Sequence, residues 1–281
     1  MGLPALSSAG YLCIMKNSAR PIGVFDSGLG GLTVFKELRN LLPAENLIYF
    51  GDTARVPYGT KSPEAVIAFS KEIASFLIAK KIKLLVVACN TASSLALDEV
   101  RRLSPVPVMG VIVPGVQAAL EAAPRGGRIL VTGTSATINS RAYSKALAAG
   151  DTHVKVLEKA CPLFVPLVEE GWCSKPVAAA VAREYLAPFR KKKVDALILG
   201  CTHYPMLKEI IARVMGPRTR IVDSARAAAL AARAELAGRG LLNGAGRGRS
   251  KFVVSDAPER FSELARKLLG IRTGKVRVKR F

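Results

Sequence analysis

The sequence predicts an α/β protein built as two pseudo-symmetric, doubly wound domains, with mostly parallel sheets and an active-site cleft between the domains. Three observations carry that expectation. Short apolar runs alternate with helix-length stretches, the rhythm of parallel βαβ units. The runs at residues 84–87 and 196–199 are continuously apolar, as strands buried on both faces are. Two similar halves each hold such a strand ending in cysteine, with Val87-Ala88-Cys89-Asn90-Thr91 in one and Leu199-Gly200-Cys201-Thr202-His203 in the other.

Taken in order, residues 21–25 read as a strand, followed by a glycine turn and a helix over 32–41. A second strand at 47–50 leads through a polar loop to a helix over about 63–80. The third strand, 83–88, precedes a helix over 92–103. The rhythm restarts with a strand at 108–113 and a helix at 115–122. Strands at 128–132, 154–158 and 196–199 follow, with helices between them. A short strand at 220–222 leads to an alanine-rich helix over 225–237, for which Asp223 and Ser224 fit an N-cap. A Gly/Arg-rich loop over 241–250 separates it from a strand at 251–254. That strand is expected to pack back onto the first half, where it finds partners. The expected domains are residues 21–113 with about 226–281, and residues 114–225. Residues 1–20 are expected to form a flexible extension, with Met15 as an alternative start.

At 281 residues the chain can bury one large core or two modest ones. No apolar run reaches the roughly 18 residues of a membrane span, and the first twenty residues do not read as a secretory signal. Cytoplasmic residence is the expectation. Five scattered cysteines without a C-x-x-C argue against a disulfide framework. The net charge of +21 is the outlier, with basic clusters at Lys80, Lys81 and Lys83, at residues 190–193, and from Arg213 onward. Such an excess gives salt-sensitive, non-specific attraction to nucleic acid, unless it is only a solvated basic surface. No zinc-finger spacing, RNA-binding signature or aromatic-interleaved basic stripe points to dedicated recognition.

The polar residues gather where strands end. Asp26-Ser27-Gly28-Leu29-Gly30-Gly31 follows the first strand, but Thr33 stands where a dinucleotide fingerprint needs glycine. Gly51-Asp52-Thr53 and Pro57-Tyr58-Gly59 follow the second. Cys89 sits at a helix start, whose dipole favours thiolate. Asn90 and Thr91 beside it offer donors suited to a carboxylate. Cys201 repeats the scheme with His203 two residues on. Thr134 belongs to a hydroxyl-rich turn after the strand at 128–132. Cys13, Cys161 and Cys173 lack these contexts and are expected to be structural. No metal site is expected, because Cys201-x-His203 lacks a second ligand pair. A Cys-His hydrolase built on Cys201 and His203 leaves Cys89 unexplained.

Together these motifs resemble the glutamate racemases, of the cofactor-independent aspartate/glutamate racemase superfamily. The matching stretches include the Asp26, Gly51 and Pro57 loops, Cys89-Asn90-Thr91, Gly133-Thr134, the run from Cys161 to Glu169, and Gly200-Cys201-Thr202-His203-Tyr204-Pro205. The resemblance implies interconversion of L- and D-glutamate by two-base proton transfer, supplying D-glutamate for peptidoglycan. It implies Cys89 and Cys201 as the catalytic pair, with Asp26, His203 and Glu169 assisting; Glu170 is the alternative to Glu169. It places substrate contacts at Asp26, Ser27, Pro57, Tyr58, Gly59, Asn90, Thr91, Thr134, Thr202 and His203. The expected partners are glutamate and a second copy of the chain, as a homodimer, with no cofactor.

Inverting a stereocentre through a planar carbanion needs a base on one face and an acid on the other, with roles that exchange in the reverse direction. A thiol and a thiolate suit that exchange. Prearranged donors and exclusion of water must then stabilise the carbanion. Aspartate and hydantoin racemases of the same superfamily are the near alternatives, and a nucleic-acid-associated protein the distant one.

Overall fold

A computed structural model describes residues 17–244 and 246–281; Cys13 and Met15 lie outside them. The first stretch contains β1 (Ile22–Asp26), α1 (Leu32–Leu41), β2 (Leu47–Gly51), α2 (Pro63–Ile78), β3 (Leu84–Val87), α3 (Asn90–Leu95), α4 (Leu97–Leu103) and β4 (Val108–Gly110). Next come α5 (Ile112–Ala122), β5 (Arg128–Gly133), α6 (Ser135–Asn139), α7 (Ala142–Gly150) and β6 (Lys155–Ala160). These lead to α8 (Phe164–Glu169), α9 (Pro176–Arg190), β7 (Ala196–Gly200), α10 (Lys208–Met215) and β8 (Arg220–Asp223). The chain closes with α11 (Ser224–Gly238), β9 (Ser250–Val254), α12 (Pro258–Leu269) and β10 (Val276–Val278).

The strands form two sheets, ordered β10-β9-β2-β1-β3-β4 and β6-β5-β7-β8. Every pairing is parallel. β1, β2, β3 and β7 are buried at every residue, which is why they read as unbroken apolar runs. β9 pairs with β2, so the last part of the chain returns to the first sheet as its lone strand required.

Three details differ from the sequence expectation. The strand expected at 108–113 stops at Gly110, and α5 begins at Ile112, with Pro114 in the first turn where a missing N–H is tolerated. The helix expected over 92–103 is two helices that meet at Ala96 (φ −119°). β10 was not expected, because its two valines alternate with basic residues at a sheet edge, where lysine and arginine are common.

Each sheet is covered on both faces. Against the first sheet, Ala225, Ala228, Ala229 and Ala232 of α11 lie 0–2% exposed beside Leu32, Leu38 and Val86. Their i, i+3, i+4, i+7 spacing makes one helical face. Asp223 caps that helix by accepting from the Ala225 N–H at 2.9 Å. The opposite face packs α2, α3 and α4 through Val66, Ile73, Leu77, Ala92 and Val100. Because all strands of a sheet run one way, their carboxyl ends gather in one place. Hydrogen bonds from Thr202 to Asp26 and between Thr91 and Thr134 show that the two sets of strand ends meet. None of the described helices is long and apolar enough to cross a membrane.

Candidate active site

One cavity opens where the strand ends meet, lined by Ser27, Pro57, Tyr58, Gly59, Cys89, Asn90, Thr91, Thr134, Val165, Cys201, Thr202 and His203. Its volume is about 10 Å3, on the order of a single water. A neighbouring hollow of about 410 Å3, lined in part by Gly28 and Glu169, shares Pro57 and Val165 with it. Cys89 comes from the first sheet and Cys201 from the second, 5% and 6% exposed.

Each sulfur has its own surroundings. Cys89, the residue before α3, hydrogen-bonds Ser27 Oγ at 3.7 Å. The expected pull of the helix dipole is outweighed: burial and then the Asp26 charge push the Cys89 thiol up to about 12. Cys201 Sγ lies 3.8 Å from His203 Nδ1, and His203 Nε2 lies 2.7 Å from Glu169 Oε1. Burial works against the imidazolium, but the Cys201 sulfur and Glu169 overcome it and hold His203 well above its ordinary value. Burial likewise opposes the Glu169 carboxylate, yet His203 and Arg260 draw it below its ordinary value. Glu170 points elsewhere, to a solvent-exposed pair with Arg260 at 3.0 Å. The geometry thus separates the two neighbouring glutamates.

Asp26 and Glu169 stand one bond behind the lining. Asp26 is fully buried; its Oδ2 accepts from Gly28 N–H at 3.0 Å and its Oδ1 from Thr202 Oγ at 3.1 Å. Burial raises this carboxyl above its ordinary value, against the opposing effect of His203 and the donors around it. A Cβ at Gly30 would collide with Thr202 and His203, so only glycine lets the first loop reach the second. Gly59 meets Thr134 in the same way.

The remaining lining residues form a polar floor. Thr91, Thr134 and Thr137 join their hydroxyls at 2.9–3.3 Å. Asn90 Oδ1 accepts from Tyr143 O–H at 2.6 Å, while its buried Nδ2 has no partner among the described residues. Tyr58 lines the cavity, but its hydroxyl turns away to donate to Asp52 Oδ2, which Arg55 also holds at 2.7 Å. Sequence reasoning did not single out Val165, Tyr143 or Arg55. Asp52 lay in the polar loop after the second strand, and Thr137 in the hydroxyl-rich turn after the strand at 128–132. Cys161 is wholly inside the second core, with its thiol pushed up by burial to about 12, and Cys173 is half-buried.

Comparison with known proteins identifies the family. A family model described as Asp/Glu/Hydantoin racemase matches residues 22–232. The chain belongs to the Asp/Glu/hydantoin racemase family. Among its relatives in that family, a glutamate racemase from Geobacter metallireducens is 51% identical over 258 residues, which cover 92% of this chain and 95% of that one. A solved glutamate racemase from Thermus thermophilus, in complex with beta-chloro-D-alanine, superposes with a TM-score of 0.85 at 48% identity, covering 94% and 98% of the two chains. The Francisella tularensis glutamate racemase in complex with D-glutamate gives 0.88 at 39% identity, covering 93% and 98%. The two-sheet racemase architecture extends over nearly the whole chain.

Proposed function

We propose that the chain is a cytoplasmic glutamate racemase, interconverting L- and D-glutamate without a cofactor and supplying D-glutamate for peptidoglycan. The observation that carries this reading is that two cysteines, one from each sheet, enter a single enclosed cavity. Cys89 is the acid: burial and the Asp26 charge keep its proton on sulfur until a carbanion on the neighbouring carbon takes it. Cys201 is the base, with His203, fixed by Glu169, beside it. In the reverse direction the roles exchange. Asp26 acts on Cys89 through its field, since its hydrogen bonds go to Gly28 and Thr202.

Asn90 Nδ2 is the donor available to a substrate carboxylate, with Thr91, Thr134 and Thr202 around it. Ser27, Pro57, Tyr58 and Gly59 complete the enclosure, Tyr58 through its ring and main chain. Relatives named as glutamate racemases at about half identity support glutamate over aspartate or a hydantoin. The sheet pairings support a first domain of residues 21–113 with about 226–281 and a second of 114–225. A homodimer is part of the proposal; exposed Leu163, Trp172 and Val177 offer apolar surface for it, and sedimentation tests it.

The deciding assay gives purified protein L-glutamate in deuterium oxide, with no added cofactor. D-glutamate carrying deuterium at Cα is the expected product. Faster turnover of aspartate or a hydantoin, or inversion without deuterium uptake, overturns the reading.

A further inference from the structure

The second sheet carries a groove at the end of its strands opposite the cleft. Its lining includes Val194 and Asp195, just before β7, and Thr219, just before β8, with the end of α9 and the turn after α10 as walls. The strands run from here toward the cleft, so five residues of β7 separate the two places, roughly 17 Å. The groove has a volume of about 740 Å3.

Four cations line it: Arg190, Lys191, Lys193 and Arg218. Arg183 and Arg213 border an adjoining hollow that shares Ala187 and Arg190 with the groove. All six are exposed, and among the described residues none takes part in a salt bridge. Asp195 is the one carboxylate in the lining, and its Oδ2 already accepts from the Arg128 N–H at 2.7 Å. Glu184 on α9 and Glu209 on α10 lie outside the lining. Gathering like charges in a concavity focuses positive potential there.

We propose that this groove binds the phosphate backbone of a nucleic acid without sequence preference. The lining contains no aromatic ring, so it offers bases no stacking platform and phosphates every charged contact. A small phosphate would need only the groove. The chain's excess of +21 extends attraction over a surface that only a polymer can exploit.

The test is fluorescence anisotropy of a labelled 20-base-pair duplex with the full chain at 50, 100 and 200 mM salt. Four phosphate contacts give a log–log slope near −3.6, about a 150-fold loss of affinity across that range. Reversing Arg190, Lys191, Lys193 and Arg218 to glutamate is expected to cost at least 30-fold at 50 mM and to flatten the slope. Reversing Arg226, Arg233, Arg272 and Lys275, exposed cations elsewhere, removes the same net charge and is expected to cost under 5-fold. Racemisation stays unchanged in both variants. Equal losses in the two variants, or no binding at 50 mM, overturn the proposal. So does competition by inorganic triphosphate as effective per molecule as by unlabelled duplex, or tighter binding to anionic lipid vesicles than to duplex.

Discussion

Tyr143, on α7, donates its phenolic O–H to Oδ1 of Asn90, at the start of α3, across the junction of the two sheets at 2.6 Å. That bond fixes which end of the Asn90 amide is the acceptor and leaves Nδ2 free to donate into the cavity. Tyr143→Phe is therefore expected to lower kcat/KM by roughly 3- to 10-fold, mostly through KM, the effect of one net hydrogen bond. Because Tyr143 acts through Asn90, combining it with Asn90→Ala is expected to add little to Asn90→Ala alone. Steady-state kinetics of the two single variants and the double variant check this; additive losses contradict it.

Cys89→Ser and Cys201→Ser each replace a sulfur with a hydroxyl that is far harder to ionise. A positioned acid or base is worth about 10²- to 10⁴-fold. Each variant is expected to lose about three orders of magnitude in racemisation while melting within a few degrees of wild type, since both side chains keep nearly their volume. Chiral chromatography measures the first and calorimetry the second. Wild-type turnover in either variant would falsify the two-sulfur scheme.

How much of this was legible in the sequence follows from what leaves a local pattern. β3 and β7 showed themselves because both faces are buried, and their cysteines because each is followed at once by polar residues. Glu169 and Glu170 could not be told apart, since only the 34-residue reach from Glu169 to His203 distinguishes them. Tyr143 and Asn90 are 53 positions apart, and a tyrosine inside a helix reads as core. Val165 reads as core for the same reason, although it lines the cavity. The helix start at Cys89 does not lower its thiol because burial, which no local pattern reports, is the larger effect.

At the amino ends of the strands of the first sheet, Lys83 and Glu45 form a buried pair at 2.5 Å, 2% and 1% exposed. Lys83 Nζ also donates to the Leu241 carbonyl at 2.8 Å, and Glu45 Oε1 accepts from Asn243 N–H at 2.7 Å. Removing one partner leaves an uncompensated buried charge, so Lys83→Met is expected to cost about 3–5 kcal/mol. Adding Glu45→Gln removes that charge and is expected to restore most of the loss. Urea unfolding of the two variants tests this, with kcat/KM unchanged in the double variant because the pair lies at the opposite end of the strands from the cleft.

The Glu169–His203 contact makes stability depend on pH with a definite sign. Glu169 lies below its ordinary 4.5, so its contribution is complete above that pH and disappears as pH falls through the depressed value. His203 lies above its ordinary 6.5, so its contribution is complete below that pH and disappears as pH rises through the raised value. Both act fully between pH 4.5 and 6.5. There Glu169→Gln is expected to cost about 1.5–3 kcal/mol, the range for a hydrogen bond to a charged group. The melting gap from wild type should narrow on the alkaline side as His203 loses its proton. The same variant is expected to move the alkaline limb of kcat/KM to lower pH, because the imidazolium has lost its anionic partner. Glu170→Gln, which breaks only an exposed pair, is expected to stay within twofold of wild type. A pH-independent melting gap, or equal losses at the two glutamates, would remove Glu169 from the site.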